Sequence, residues 1–569
     1  MTSSERERTG ADLFVETLRE YGVTRVFGNP GTTELPVLRA IDDSDLEYVL
    51  GLHEDVAVGA AAGYAQARRY HSHDDQSVQP VGVANLHITP GLAHGLGNVY
   101  GAAWAGAPLV VTAGNHELDF RHEEPLLTGD LERMVEQFCK FSAEVTDVNA
   151  LPGLLRRAFR IALTPPTGPV FLALPFDVML AATDADPEPL GPVPTPGPGD
   201  PNQLEAAADL LVDAEDPVLV FGDGVARAGA VEEAVAFAEA VGGRAHAEIL
   251  ACEVNFPADH EQFVTYVPPD EGLASMLLSG DTVCLVGCST NTTLMAHEEP
   301  LIDSETACIH VGAGADDLAK HQPADAAVVA DPGEAMAALT DRLRERIEPA
   351  TLADRLEHTA AIRESLQGTI RSMGEDDTPE GETRPSKADL VDALMEVVPD
   401  AQVVDEGITA KYPLLTRWPL GERSLISNKG GGLGYGLPAS VGAAFAARER
   451  RAEGGDPAPV VGYVGDGSYL YYPSAVYTAA RYGLDLTVVV PDNRNYRILK
   501  DNAVAAFGGT DAEHSYDGMD IDPPVDLPAN AESYGATGHQ VETPDRLQET
   551  LAEAVEGEST HVVDVLVHD

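Results

Sequence analysis

Gly465-Asp466-Gly467 ends one apolar run (460–464), and Asp492-Asn493-Arg494-Asn495 ends the next (486–490). Between them residues 473–483, PSAVYTAARYG, make an amphipathic stretch long enough for a helix. Strand, turn, helix, strand, loop is a βαβ unit with adjacent parallel strands. Both polar clusters then emerge at the carboxyl edge of one sheet, where open α/β sheets bind ligands. Aspartate and asparagine offer hard oxygens that suit Mg2+ holding a diphosphate. Gly465 and Gly467 let the backbone approach phosphate at a helix N-terminus.

A second constellation lies near the start of the chain. Glu54, in Gly51-Leu52-His53-Glu54-Asp55, stands where a strand gives way to a helix of small residues, VAVGAAAGYAQA at 56–67. A glutamate is favoured in a first helical turn by the dipole alone. FGNPGTTELP at 27–36 precedes it by one crossover unit and NLHITPG at 85–91 follows by another. All three loops then share one sheet edge, which gives Glu54 a site to serve.

The GDG and the asparagine loop together resemble the fingerprint of thiamine diphosphate (ThDP)-dependent enzymes. FGNPGTTELP, GLHE and NLH resemble the pyrimidine-binding domain of the benzoylformate decarboxylases. TGPVFLALPFD (167–177) and GGGLGYGLPASVGAA (430–444) extend the likeness over essentially the whole chain. The resemblance implies ThDP and Mg2+ as cofactors, the metal held by Asp466, Asn493 and the carbonyl of Asn495. Asp492 stands where members of the family often carry a second asparagine. Gly465, Gly467, Ser468 and Tyr496 complete the cofactor-binding set, and Leu433 takes the place of the apolar residue that bends the cofactor.

The resemblance also places Glu54 against N1′ of the aminopyrimidine, and Thr32 and His87 beside the substrate. A carboxyl at N1′ favours the imino tautomer, whose amine takes the proton from C2; a dry site lets Glu54 share its proton. His87 would orient a substrate carboxylate and relay protons. A second histidine is expected from 287–299, where His297 is the candidate; His116 and His53 also flank the loops, His53 being expected on the opposite face of its strand. Ile498 and Leu499 would line the substrate pocket. Ile498 replaces a small residue of the benzoylformate decarboxylases, which favours a shorter aliphatic substrate over an aryl one.

The implied activity is non-oxidative decarboxylation of a 2-oxoacid to an aldehyde and CO2. One alternative is an acetolactate synthase-type carboligase, which the NLH turn fits less well. Another is a non-catalytic ThDP-binding subunit, against which the retained Glu54 and metal loop count. A Rossmann dehydrogenase is discounted, because no GxGxxG with a following acidic residue occurs after a first strand. The resemblance further implies a homodimer or homotetramer, with Glu54 from one subunit facing Asp466 and Asn493 of another.

The elements that must position these residues are legible in outline. A chain of 569 residues exceeds one core and suggests about three domains. A Pro-rich stretch at 181–201 and a polar one at 374–386 read as linkers. They divide the chain into 1–180, 202–345 and 385–569, with a helical connector before the second linker. Ala11-Asp12-Leu13 leading to Val26-Phe27-Gly28 is echoed without a gap by Ala388-Asp389-Leu390 leading to Val403-Val404-Asp405. The expected fold is α/β, three doubly wound parallel-sheet domains: pyrimidine-binding, central and diphosphate-binding. A second GDG, Gly222-Asp223-Gly224, lacks a following polar loop and reads as a turn, the alternative being a vestigial nucleotide crevice.

Composition narrows the rest. Ninety-three acidic against 36 basic residues give a net charge of −57, and only six of the basic residues are lysine. Such a surface repels nucleic acid and anionic membranes. Spread evenly, it fits molar salt, where screening removes the self-repulsion, so a halophilic enzyme is expected. The charged N-terminus shows no secretory pattern, and five scattered cysteines suit a reducing cytoplasm better than zinc or disulfides. The partner expected is a small-molecule 2-oxoacid.

Overall fold

Apolar runs of four to seven residues become strands covered on both faces, the pattern that parallel sheets require. The structure, a computed structural model, describes residues 7–293, 295–373 and 381–569. It contains three six-stranded sheets, all parallel. In the first, β1 (Arg25–Asn29), β2 (Glu47–Leu50), β3 (Gly82–Leu86), β4 (Leu109–Asn115), β5 (Ser142–Glu144) and β6 (Pro169–Pro175) run in the order β2-β1-β3-β4-β6-β5. In the second, β7 (Pro217–Phe221), β8 (Arg244–Ala247), β9 (Phe263–Tyr266), β10 (Thr282–Val286), β11 (Ala307–Gly312) and β12 (Ala326–Val329) run β12-β11-β10-β7-β8-β9. In the third, β13 (Gln402–Glu406), β14 (Leu425–Ile426), β15 (Val460–Val464), β16 (Leu486–Asp492), β17 (Thr537–Val541) and β18 (Thr560–Leu566) run β14-β13-β15-β16-β18-β17.

The first and third sheets have one topology, and the echo in sequence marks it. A constant offset carries helix Gly10–Glu20 onto Lys387–Val397, β1 onto β13 and β4 onto β16. Even the caps correspond: Thr9 with Asp12 and Ser386 with Asp389 each close a capping box at the first helix. Residues 183–200 carry no helix or strand, whereas part of the second expected linker, 374–380, lies outside the described residues.

The two outer domains meet along helices Glu54–Asp74 and Gly436–Ala452. Glycines permit the crossing: a Cβ at Gly63 would lie 2.5 Å from Ala439 Cα, and one at Gly442 would lie 2.5 Å from Tyr64 N. Backbones this close leave no room for larger side chains, so the small-residue runs of both helices are packing surfaces. At their far ends Arg68 pairs with Glu453 at 3.1 Å. The same two helices begin at Glu54 and just after Leu433, so the crossing fixes both candidate site residues relative to one another.

Candidate active site

The N-terminal loops converge as their spacing requires. The sheet reverses direction between β1 and β3, and the loops beyond those two strands hold Glu34 and His87. His87 Nδ1 lies 2.9 Å from Glu34 Oε2 and 3.3 Å from Thr33 Oγ1. Glu34 is buried and accepts the N–H groups of Gly31 and Gly114, each at 2.9 Å. Its hydrogen bond and charge raise the His87 pKa against the opposing effect of burial. Thr32, the expected substrate neighbour, is exposed on the same loop. Neither Glu34 nor Thr33 was expected from sequence; GTTE offered an acid after a turn, with nothing to connect it to NLH.

Glu54 opens its helix and is 8% exposed, the dry setting that its expected role demands. Gly91 separates it from His87: a Cβ there would meet His87 Cβ at 2.8 Å and Glu54 Oε1 at 2.9 Å. His94, on helix Thr89–Ala105, places Nδ1 3.3 Å from Glu54 Oε2, a partner the sequence reading missed. The expectation for His53 is corrected. It caps the helix by accepting from Asp55 N–H at 3.1 Å, and its ring stacks on His94 rather than facing away. Tyr472 of the C-terminal domain packs on His53 at 4.9 Å and donates to Asp55 at 2.6 Å.

His116 and His297 stay in their own loops. His116 Nε2 bonds the Leu126 carbonyl at 2.7 Å, and His297 Nδ1 bonds that of Glu299 at 2.8 Å. The residues beside His297 include Leu294, which lies outside the described residues.

At the C-terminal sheet, the loops after β13, β14, β15 and β16 share one edge. Glu406, ending β13, accepts N–H from Gly434 (3.2 Å), Tyr435 (3.1 Å) and Gly436 (3.0 Å) and so fixes the turn that carries Leu433. Burial outweighs these three bonds and pushes its pKa up to about 7. Gly467 backs onto Tyr496, whose Cε1 would lie 2.5 Å from an added Cβ. Ser468 Oγ donates to the Glu406 carbonyl at 3.4 Å.

Asp466 is buried with Oδ2 lacking any partner, and Asn495 Oδ1 is likewise buried and unbonded. Burial and the facing Asp492 carboxyl raise the Asp466 pKa. Unsatisfied oxygens next to a second carboxylate are costly without a cation, so this donor set fits Mg2+. Asn493 keeps Oδ1 toward Asn495 N–H (3.3 Å) and gives its amide to Asp569 at 2.6 Å. Arg494, between Asn493 and Asn495, adopts φ 59°, which turns the loop back beside Asp466, at the candidate metal position. Ile498 is half-buried and Leu499 46% exposed on helix Arg497–Phe507, none of whose residues is buried.

Residues 8–138 match the N-terminal, 204–339 the central and 411–565 the C-terminal domain of thiamine pyrophosphate enzymes. The chain belongs to this family. It is 30% identical over 556 residues to a benzoylformate decarboxylase of Pseudomonas aeruginosa, covering 97% of each chain. The crystal structure of a benzoylformate decarboxylase from Polynucleobacter necessarius superposes with a TM-score of 0.84 at 25% identity, covering 99% of each chain. The large subunit of acetolactate synthase isozyme 3 from Escherichia coli is 25% identical over 562 residues, covering 96% of this chain and 92% of that one. The protein is therefore a ThDP enzyme, and its relatives include both decarboxylases and carboligases. Among the described residues no helix is long and apolar enough to cross a membrane.

Proposed function

We propose that this ThDP enzyme decarboxylates a 2-oxoacid without oxidation, releasing an aldehyde and CO2. The observation that carries this reading is His87, held by the buried Glu34 and separated from Glu54 only by Gly91. A decarboxylase must place a proton where carboxylate was lost, and an imidazole fixed at Nδ1 leaves Nε2 for that transfer. Glu54, buried at the start of its helix, would hold N1′ of the cofactor, and Thr32 stands on the same edge, where the substrate would enter. ThDP, when bound, supplies the electron sink for loss of CO2. Asp466, Asn493 and the Asn495 carbonyl would hold Mg2+ and the diphosphate; Gly465, Gly467, Ser468 and Tyr496 would line it, and Leu433 would bend the cofactor.

The working unit is a homodimer or a homotetramer of such dimers. Large apolar side chains are exposed beside the site loops: Leu35 (55%), Leu52 (44%), Tyr471 (51%) and Phe507 (80%). Exposed large apolar side chains near the site favour burial by a partner, and a second copy of the chain covering them would complete the pocket. The even acidity supports a cytoplasmic enzyme of a halophile.

Incubation in molar KCl with Mg2+ and ThDP against phenylglyoxylate, pyruvate and branched 2-oxoacids, with products identified by mass, tests the reading. Aldehyde plus CO2 supports it. Acetolactate-type products move the assignment to carboligation, and ThDP binding without turnover of any oxoacid overturns it in favour of a non-catalytic subunit.

A further inference from the structure

Away from these loops, a dense set of buried charges is centred on the central domain. Its sheet, read β9-β8-β7-β10-β11-β12, has the strand order of a dinucleotide-binding fold, with the switch point between β7 and β10. There the Gly222-Asp223-Gly224 segment is the start of helix Asp223–Arg227, not the isolated turn expected, and Asp223 is wholly buried. Backbone N–H groups of Asp223, beyond β7, and of Ser289 and Thr290, beyond β10, converge on one point. Such convergence is how backbone cradles an anion.

The anion there is the chain's own. Glu248 Oε1 accepts from Asp223 at 2.7 Å, and Oε2 accepts from Ser289 at 3.0 Å and Thr290 at 3.1 Å. Glu248 directly follows β8, the place from which the acidic residue of a dinucleotide fold takes a ribose hydroxyl. The loops after β7 and β10 pack backbone to backbone here: a Cβ at Gly224 would lie 2.8 Å from Gly287 Cα.

Lys429 seals this arrangement from another domain. Its Nζ lies 2.7 Å from Glu248 Oε1, 2.8 Å from Asp223 Oδ2 and 3.1 Å from Ser289 Oγ, and the side chain is 1% exposed. Burial alone would discharge it; Asp223 and Glu248 more than offset that and keep it an ammonium. One of only six lysines is thus spent inside the protein. Arg227 and Arg69 extend the cluster through Glu253, so three cations face the carboxylates of Asp223, Glu248 and Glu253.

Lys429 also begins the glycine run that ends at Leu433. The Gly430 carbonyl accepts from Tyr100 at 3.0 Å, and the Trp104 indole lies against Gly430, Cδ1 being 3.2 Å from an added Cβ. Added Cβ atoms at Gly431 and Gly432 would meet nothing within 4 Å. The turn is therefore anchored at its two ends, by Lys429 before it and by Glu406 after it.

We propose that Glu248 is a built-in ligand: it fills the crevice where a nucleotide phosphate would sit and, through Lys429, fixes the turn that presents Leu433 to ThDP. Lys429 is then a positioning residue for cofactor binding, and the central domain takes neither FAD nor ADP. The inference rests on the proposed placement of Leu433 against the cofactor. Its readout is binding, so it stands or falls apart from the decarboxylase reading.

The test is titration of the full chain with Mg2+ and ThDP in molar KCl, with Trp104 as reporter in a Trp418→Phe background. Wild-type protein is titrated separately with ADP and with FAD. The expected results are no nucleotide binding by the wild type, and ThDP affinity about tenfold lower in Glu248→Ala, the scale of coupling between sites. Potassium acetate, which returns a carboxylate to the vacated cradle, restores most of that loss. Glu248→Gln, which keeps the shape without the charge, and Lys429→Met both weaken ThDP without responding to acetate, and they carry the test if Glu248→Ala fails to fold. Nucleotide uptake by the wild type, undiminished ThDP affinity in the folded variants, or a loss that acetate leaves unchanged overturns the proposal. Leu433→Ala separates the two premises: if it binds ThDP normally the placement of Leu433 is wrong, and if it alone binds weakly the Glu248 link is wrong.

Discussion

Glu34 and His87, on loops beyond neighbouring strands, form a carboxylate–imidazole pair with Oε2 2.9 Å from Nδ1. The carboxylate is 1% exposed and fixed by two backbone N–H groups, so it sets the orientation and tautomer of the ring rather than following it.

The pair predicts the pH profile of turnover. Glu34 raises the His87 pKa, so Glu34→Gln moves the histidine limb of the kcat/KM profile to lower pH. The linked stability has a definite sign: it is present below the unfolded histidine value and is lost as pH rises through the raised one. A profile unmoved by Glu34→Gln, in protein that still binds ThDP, would remove His87 from proton transfer.

Glu54→Gln separates enzyme from binding protein. The amide keeps the shape at N1′ and cannot exchange a proton, so turnover should fall roughly 10²–10⁴-fold, the usual worth of a positioned acid–base group. ThDP affinity, followed by tryptophan fluorescence, should change far less. Equal losses in both would mean that Glu54 serves only to hold the cofactor.

How far these groups were legible in sequence follows from what local pattern encodes. β15, β16 and the loops after them are apolar runs ending in Gly-Asp-Gly and Asp-Asn, so period and punctuation placed Asp466 and Asn493 on one edge. The repeat of the outer domains was visible because both copies retain their capping boxes and their spacing. Glu34, His94, Glu248 and Lys429 were not legible. Each draws its meaning from a partner on a distant loop, Lys429 from residues in a different domain, and pairing across such separations leaves no local periodicity. His53 misled for a related reason: strand alternation places it on the far face, but the strand ends at Leu50 and His53 already belongs to the helix cap.

Glu406 predicts a pH-dependent stability of opposite sign to the usual carboxylate. Its folded value, about 7, lies above its unfolded value, so the native state holds the extra proton between them. Stability conferred by the neutral form is complete below about pH 4.5 and is lost as pH rises toward 7, by on the order of 3 kcal/mol. Glu406→Gln should flatten that part of the curve of melting temperature against pH, measured at constant KCl. A slope unchanged in Glu406→Gln would assign it to other groups.

Low salt should dissociate the protein. At a net charge of −57 the subunits repel, and the Debye length grows from about 3 Å at 1 M salt to about 30 Å at 0.01 M. Sedimentation velocity should then show dimers or tetramers in molar KCl and slower species after dialysis, with ThDP released as the shared site opens. Unchanged sedimentation at low ionic strength would contradict both the shared site and the adaptation to salt.

Ile498 tests substrate choice. It is half-buried at the start of helix Arg497–Phe507, directly after the loop that carries Asn493 and Asn495, where the proposed substrate pocket would meet the metal site. In that reading a branched side chain takes the space that an aryl ring would need, and losing it would deepen the pocket. Hydrophobic pockets discriminate by steric volume at roughly 10–200-fold per methylene-sized difference. Ile498→Ala should therefore raise kcat/KM for phenylglyoxylate relative to a short aliphatic 2-oxoacid by at least about tenfold, while ThDP affinity stays as in the wild type. Because the substitution would act on the substrate and not on the cofactor, an unchanged ratio would place the specificity-determining surface elsewhere.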